Sequence, residues 1–306
     1  MNSLASKPGI TQKMKSINKL GLGTVQWGLS YGLANQHGIT APETVTAILA
    51  EAQRHGITVL DTASLYGEAE AVLGANPLQM FHVISKTPKY ATSVITDDQA
   101  LQLTQVLHQS LHRLSCKKIY GLLIHHAVDL LVPGGEKLVA AMTELKEKEA
   151  VENIGVSVYD GEQVDAVLKI FKPDIVQLPV SVLDQRMLLN GQLERLKKEG
   201  TEIHIRSVFL QGLLLMPLSQ VPVYFDPIRP LLARWHAAAQ AQGMTQTQAA
   251  LTFVRDIPYV DTVLVGVENL AQFQSCVEEF SIDASFDASN LACNDPMFVN
   301  PALWKI

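Results

Sequence analysis

Four polar residues fall where apolar segments of the chain stop. Asp61 and Tyr66 lie in LDTASLYG (60–67), Lys86 ends VISK (83–86), and His125 follows the apolar run of LLIHH (122–126). A phenol, an ammonium, a carboxylate and an imidazole together are suited to giving a proton to a carbonyl oxygen. Free tyrosine titrates at about 10, so the phenol needs help at neutral pH. A nearby Lys86 ammonium is expected to lower that value, with Asp61 holding the ammonium in an ion pair. A neutral His125 would orient the substrate oxygen while Tyr66 delivers the proton. Each residue alone has a plainer reading: Asp61 capping a turn, Tyr66 packing before Gly67, Lys86 as a solvated rim charge. Four together, at three successive strand ends, favour the chemical one.

These side chains need a frame that gathers strand ends. The spacing of apolar residues predicts strands in 19–28, 57–63, 81–86, 119–126, 152–159, 174–180, 202–208 and 262–267. Between them it predicts helices over Pro42 to Arg54, Glu68–Leu73, Asp97–Leu114, Gly135–Lys148, Glu162–Phe171, Gly191–Glu199, Ile228–Arg255 (broken near Gly243) and Leu270–Phe280. Pro42 starts the first of these and Gly56 stops it. The strands read as continuous apolar runs, the pattern of strands covered on both faces. Eight βα units without a long linker predict a single-domain α/β fold, the TIM-type (β/α)8 barrel, over residues 1–306, with a leader (1–17) and a C-terminal tail (281–306). Phe286, Phe298, Leu303 and Trp304 are expected to pack that tail on the barrel. A doubly wound sheet is the rival, but GLGTVQWG lacks its glycine spacing. In a barrel the strand ends share one mouth.

Composition narrows the field. The 306 residues are 47% hydrophobic and 18% charged, with a formal net charge of −6. No basic run suggests nucleic acid, and no stretch approaches the roughly 18 apolar residues of a membrane span. The first residues lack a signal-type apolar core, making the cytoplasm the default compartment. Cys116, Cys276 and Cys293 are odd in number and show no metal-ligand spacing, so they read as reduced thiols with no metal. Oligomeric state is not legible here.

LDTASLYGEAEAVLG resembles the DTA…YG…E…LG pattern of the aldo-keto reductase superfamily. The resemblance continues, in order, through LGLGTVQWG, SK, IHH, GVS, IVQLPV, SVFLQGLL and LVGVENLAQF, and so spans nearly the whole chain. It implies a barrel enzyme that reduces a small carbonyl substrate, aldehyde or ketone, with NADH or NADPH, using Asp61, Tyr66, Lys86 and His125. Matching the family's IH pair puts His125 in the mouth. His126 would then line the pocket or face a helix. Ser157 and Gln177 match residues that hold the nicotinamide carboxamide, with Asp61 beside them, while Val158 replaces a frequent Asn. Gly23 and Thr24 would meet the nicotinamide ribose. Ser207 and Gly212 match the loop passing the pyrophosphate, where close backbone approach needs a small residue; an ordinary turn is the alternative for Gly212.

Two departures stand out. Arg206 occupies the place of an aromatic that stacks on nicotinamide, so it either covers that ring or grips an anionic group of cofactor or substrate. Glu268 stands where NADPH-selective members carry Arg or Lys. A carboxylate there repels a 2′-phosphate and can accept from a ribose diol, which leans the expectation to NAD(H). Gln272 keeps the adenine-site pattern, whereas Ser275 and Cys276 do not. Trp27, Tyr90, His126, Tyr159, Phe209 and Trp304 are pocket candidates. The RSVFLQG stretch and NPALW tail resemble bacterial members tied to sugar metabolism, implying a sugar-like substrate. Two other functions remain open: Schiff-base chemistry at Lys86, and a cofactor-binding regulatory or channel-subunit-like module with little turnover.

Overall fold

The computed structural model describes residues 17–306; nearly all of the expected leader lies outside them. Eight parallel strands close on themselves in sequence order. They are β1 (Leu20–Gly23), β2 (Val59–Asp61), β3 (His82–Lys86), β4 (Ile119–Ile124), β5 (Val151–Ser157), β6 (Ile175–Pro179), β7 (Glu202–Arg206) and β8 (Thr262–Gly266). β1 pairs with both β2 and β8, which closes the ring.

Helices fill the returns: α1 (Pro42–Arg54), α2 (Ala69–Gly74), α3 (Asp97–Arg113), α4 (Glu136–Glu147), α5 (Gly161–Val167), α6 (Arg186–Leu189), α7 (Gln192–Lys198), α8 (Arg229–Ala241), α9 (Gln246–Arg255), α10 (Leu270–Ser281) and α11 (Pro296–Val299). Their starts carry the expected chemistry. Pro42 opens α1, Thr96 and Gln99 form a capping box at α3, and Asp160, Thr245 and Asn269 cap α5, α9 and α10 with side-chain oxygens. Val45, Ile48, Leu49 and Ala52 give α1 the buried face that seats it on the barrel.

Two local expectations change, and one uncharted segment takes shape. Helix α5 ends at Val167, well before Phe171; the chain turns ahead of Pro173, which disfavours helical backbone at the residue before it. Leu101 shares the spacing of Leu103 and Leu107 yet is exposed. The segment after β7 folds into three short 3-10 turns, Leu210–Leu215, Leu218–Gln220 and Val223–Ile228. Pro217, Pro222 and Pro227 deny it the donors of a continuous helix. The tail docks as expected. Phe286 meets Trp235 edge-on at 5.5 Å, Trp304 meets Phe225 at 4.9 Å, and the Cys293 N–H donates to the Leu183 carbonyl at 2.8 Å.

Inside the barrel, Val59, Ile84, Leu123, Ile175 and Leu264 form a buried apolar plug. Glycine makes room for it: a Cβ at Gly155 would lie 2.0 Å from the Ile175 carbonyl oxygen. Strand alternation puts every second residue on the same face. Two positions beyond the plug stand Asp61, Lys86, His125, Gln177 and Gly266. The fold therefore brings five distant sequence positions to one layer above its core.

Candidate active site

That layer forms the floor of a cavity of about 650 Å³, within the usual range of ligand sites (roughly 300–1,000 Å³). On the β2–β4 side, the Lys86 ammonium donates to Asp61 Oδ2 at 2.7 Å and to the Thr62 carbonyl at 2.8 Å. Its Nζ lies 5.0 Å from the centre of the Tyr66 ring. Tyr66 and His125 meet edge to face with centroids 5.8 Å apart. Asp61 is shared, because Gln177 Nε2 donates to its other oxygen at 2.6 Å. Carboxylate, ammonium and amide thus form one buried network, and each member fixes the next.

Electrostatics agree with the sequence for the imidazole and correct it for the phenol. Burial, helped by Lys86 and by its neighbours His126 and Arg206, lowers the pKa of His125 to about 2, so the ring is neutral. Tyr66 is pushed upward instead of down. Burial is the main cause, the Asp61 charge adds to it, and the cation that opposes it is Arg206. Lys86 is engaged by the Asp61 carboxylate. Tyr66 is therefore a firmly protonated phenol, an acid with its proton in place. Lys86 itself is lowered by burial, against the pull of Asp61.

The structure brings most of the expected site residues to this one cavity. Gly23, Thr24, Asp61, Tyr66, His125, Ser157, Tyr159, Gln177, Arg206, Ser207, Phe209, Gly212, Glu268 and Gln272 all line it. Lys86 lies beneath the lining, with its side chain 1% exposed. An amine so enclosed and so engaged is not placed to meet a substrate carbonyl, which removes the Schiff-base reading.

Four expected pocket residues fall outside the lining of this cavity. Trp27 is fully buried and donates its Nε1–H to the Val267 carbonyl at 3.3 Å. Tyr90 sits over Asp129, which accepts its backbone N–H. Trp304 packs on Phe225. His126 stands 4.8 Å from the His125 ring, yet it falls outside the lining. Large aromatics fill whichever gap the packing offers, and sequence position alone does not say which.

Other lining residues escaped the sequence reading. Gln26, Tyr31 and Asn35 come from the loop after β1, and Gln211 from the loop after β7. The two loops join: Gln211 Nε2 donates to Tyr31 Oη at 3.1 Å, and the Ala34 N–H donates to the Gln211 carbonyl at 3.2 Å. Gly212 permits this, with φ +91° and only 2.4 Å between an added Cβ and the Ala34 Cβ. Gly32 and Gly38, which punctuate a long βα connection, were the available signal.

At the far end Glu268, Ala271, Gln272, Ser275 and Cys276 close the cavity. Gln272 is partly occupied, since its Oε1 accepts the Glu268 N–H at 2.8 Å. Burial, with Glu279 nearby, pushes the Cys276 thiol up to about 12, leaving an unreactive neutral wall.

Several lining groups are left without protein partners among the described residues: Thr24 Oγ1, Gln26 Oε1 and His125 Nδ1. Buried polar atoms without partners are costly, so a polar ligand that satisfies them fits this cavity, and a dinucleotide has the groups to do so.

Comparison with known proteins agrees with this geometry. The model of the aldo/keto reductase family matches residues 19–292. The NADH-specific methylglyoxal reductase of Escherichia coli (strain K12) is 26% identical over 310 residues, spanning 88% of this chain and 92% of the relative. Among solved structures, the aldo-keto reductase AKR11C1 from Bacillus halodurans, in its holo form, superposes with a TM-score of 0.69. That match covers 92% of this chain and 94% of the other at 18% identity, and carries the fold. With the family pattern running from the first strand through the last and the barrel closing as the family's does, the chain belongs to the aldo/keto reductase family of oxidoreductases that act on carbonyl compounds.

Proposed function

We propose that this chain reduces a small aldehyde or ketone to the alcohol with NADH, using Tyr66 as the proton donor. The observation that carries the reading is the junction of a protonated Tyr66 with a neutral His125 above a buried Asp61–Lys86 pair. When bound, the reduced nicotinamide supplies the hydride that the carbonyl carbon accepts. The protein supplies everything at the oxygen. His125, uncharged and edge-on to the phenol, positions that oxygen by hydrogen bonding, and the Tyr66 hydroxyl gives up its proton as charge builds there. The Arg206 cation limits the cost of the tyrosinate left behind, while Lys86, 5.0 Å from the ring centre, stays paired to Asp61.

Ser157 and Gln177 would hold the carboxamide, Gly23 and Thr24 the adjacent ribose, and Ser207 and Gly212 the pyrophosphate. Glu268 and Gln272 would face the adenosine end. Arg206, at the end of β7, is the one arginine or lysine among the described lining residues. A 2′-phosphate at Glu268 would meet a carboxylate of like charge. The NADH specificity of the E. coli relative points the same way. No helix among the described residues is long and apolar enough to cross a membrane, and the three cysteines are free thiols. Both fit action in the cytoplasm.

Fluorescence titration with NADH and NADPH, followed by a screen of small carbonyl compounds, tests the reading. NADH is expected to bind at least about tenfold tighter, roughly the weight of one uncompensated charge contact. A preference for NADPH overturns the cofactor assignment, and cofactor binding with no turnover of any carbonyl overturns the reaction.

A further inference from the structure

Arg206 is braced by its neighbours and, among the described residues, has no carboxylate partner. Its guanidinium lies 4.3 Å over the Tyr159 ring. Nη2 donates to the Val158 carbonyl at 3.0 Å, and Nη1 to Ser207 Oγ at 3.3 Å. Stacking and two hydrogen bonds fix the plane of the fork. Arginine has five donors, and those two bonds leave the others to face what the cavity holds. Among the described residues no carboxylate pairs with it. Of the two acidic residues lining the cavity, Asp61 is engaged by Lys86 and Gln177, and Glu268 makes no ion pair with Arg206 among the described residues.

Its position says which ligand it serves. Arg206 ends β7 two residues above His204, which is enclosed within the barrel, and pairs in register with Pro179 at the end of β6. It belongs to the barrel wall, level with Gln177, and precedes the 207–212 loop that approaches the cofactor's phosphates. Its charge is felt at Tyr66 and at His125. An anion on this fork would lie in the same chamber as the reacting carbonyl. A partly buried cation without a partner bears a desolvation cost that an arriving carboxylate offsets, and a guanidinium fork matches a carboxylate in two-point geometry.

We propose that Arg206, braced by Tyr159, is the specificity determinant of this reductase and selects carbonyl compounds that carry a carboxylate a few bonds from the carbonyl. This rests on the reductase reading above and names its substrate class.

The test compares a matched pair, 4-oxobutanoate and butanal, with NADH as reductant, in the wild-type protein, Arg206→Lys and Arg206→Met. The quantity read is the ratio of kcat/KM for the acid to that for the neutral aldehyde. The wild type is expected to favour the acid by about 10- to 100-fold, the worth of a charge-assisted contact. Arg206→Met should bring the ratio to about 1, mainly through KM for the acid, and Arg206→Lys should fall between, keeping charge and losing the fork. A wild-type ratio near or below 1, or a preference that survives Arg206→Met, overturns the proposal. So does an equal loss on both substrates that tracks weaker NADH binding by fluorescence, which would give Arg206 to the cofactor. If the wild type reduces neither compound nor any other carbonyl, the reductase reading fails by itself. Fluorescence titration of the protein with 4-oxobutanoate then decides the anion site: about tenfold weaker binding in Arg206→Met supports it, and unchanged binding overturns it.

Discussion

The two ends of the barrel carry similar residues and use them differently. Toward the base, His82 stacks on Tyr120 at 4.3 Å, and the Tyr120 hydroxyl donates to Glu202 Oε2 at 2.6 Å. Glu202 Oε1 meets His204 Nε2 at 2.6 Å. Lys146 pairs with Asp174 and Lys197 with Asp261 at the strand starts. Apart from His204 Nδ1, donors and acceptors there are consumed by one another. At the mouth an equally polar ring pairs Asp61 with Lys86 but, among the described residues, leaves His125 Nδ1 and Gln26 Oε1 without hydrogen-bond partners and the Arg206 fork without a carboxylate. The base spends its charges on closing the barrel, and the mouth keeps its own for a ligand. Polar residues inside a barrel therefore mark function only where their bonding is incomplete.

Mutation should separate the ends. The largest effect is expected from Tyr66→Phe, which removes the proton donor while keeping the ring: kcat should fall by about 10²–10⁴-fold, with NADH binding measured alongside to show the site still forms. A loss under tenfold would remove Tyr66 from the chemistry. Next, Lys86→Met leaves the Asp61 carboxylate buried without its ion partner, with a loss of about 3–5 kcal/mol in urea unfolding together with a fall in kcat. An unchanged unfolding midpoint would show that the pair holds nothing together.

Acid also distinguishes them. The His125 value is lowered to about 2 in the fold, against about 6.5 in an unfolded chain. Below pH 6.5 the unfolded chain takes up a proton that the folded one refuses, so stability drops as pH falls, by up to about 1.4 kcal/mol per pH unit from this residue. His126 and His236, both lowered by burial, act in the same sense. At the base, burial alone would raise Glu202, but the hydrogen bond and charge of His204 outweigh it and hold the carboxyl below its ordinary range. That contribution persists above the carboxylate's unfolded value of about 4.3 and disappears only in stronger acid. Between pH 5 and 6.5, roughly the window set by those reference values, these buried histidines should respond while Glu202 at the base does not. His125→Asn should flatten the slope of unfolding free energy there; an unaltered slope would contradict the burial argument. The smallest effect is reserved for Tyr120→Phe, expected to cost about 1 kcal/mol of stability for one hydrogen bond while kcat/KM stays within about threefold. A larger catalytic loss would erase the distinction between the ends.

What could be read from the chain without coordinates has a simple cause. Local rules act over a few residues, and the strand runs, the caps at Thr96, Asp160, Thr245 and Asn269, and Pro42 obey them. The period-two alternation also put Asp61, Lys86, His125 and Gln177 on one face, because each follows a plug residue by two positions. What the residues alone left open depends on distances between remote segments. The direction of the Tyr66 shift turned on how deeply the fold buries the phenol and on the Asp61 charge beside it, which outweigh Arg206 reaching it from β7. The removal of Trp27, Tyr90 and Trp304 from the pocket turned on which packing gaps were theirs. The meeting of Gln211 with Tyr31 across the cavity joins residues 180 positions apart in sequence. Sequence pattern determines which side of a strand a group occupies; only the closed barrel decides what stands opposite it, and electrostatics and packing are set by what stands opposite.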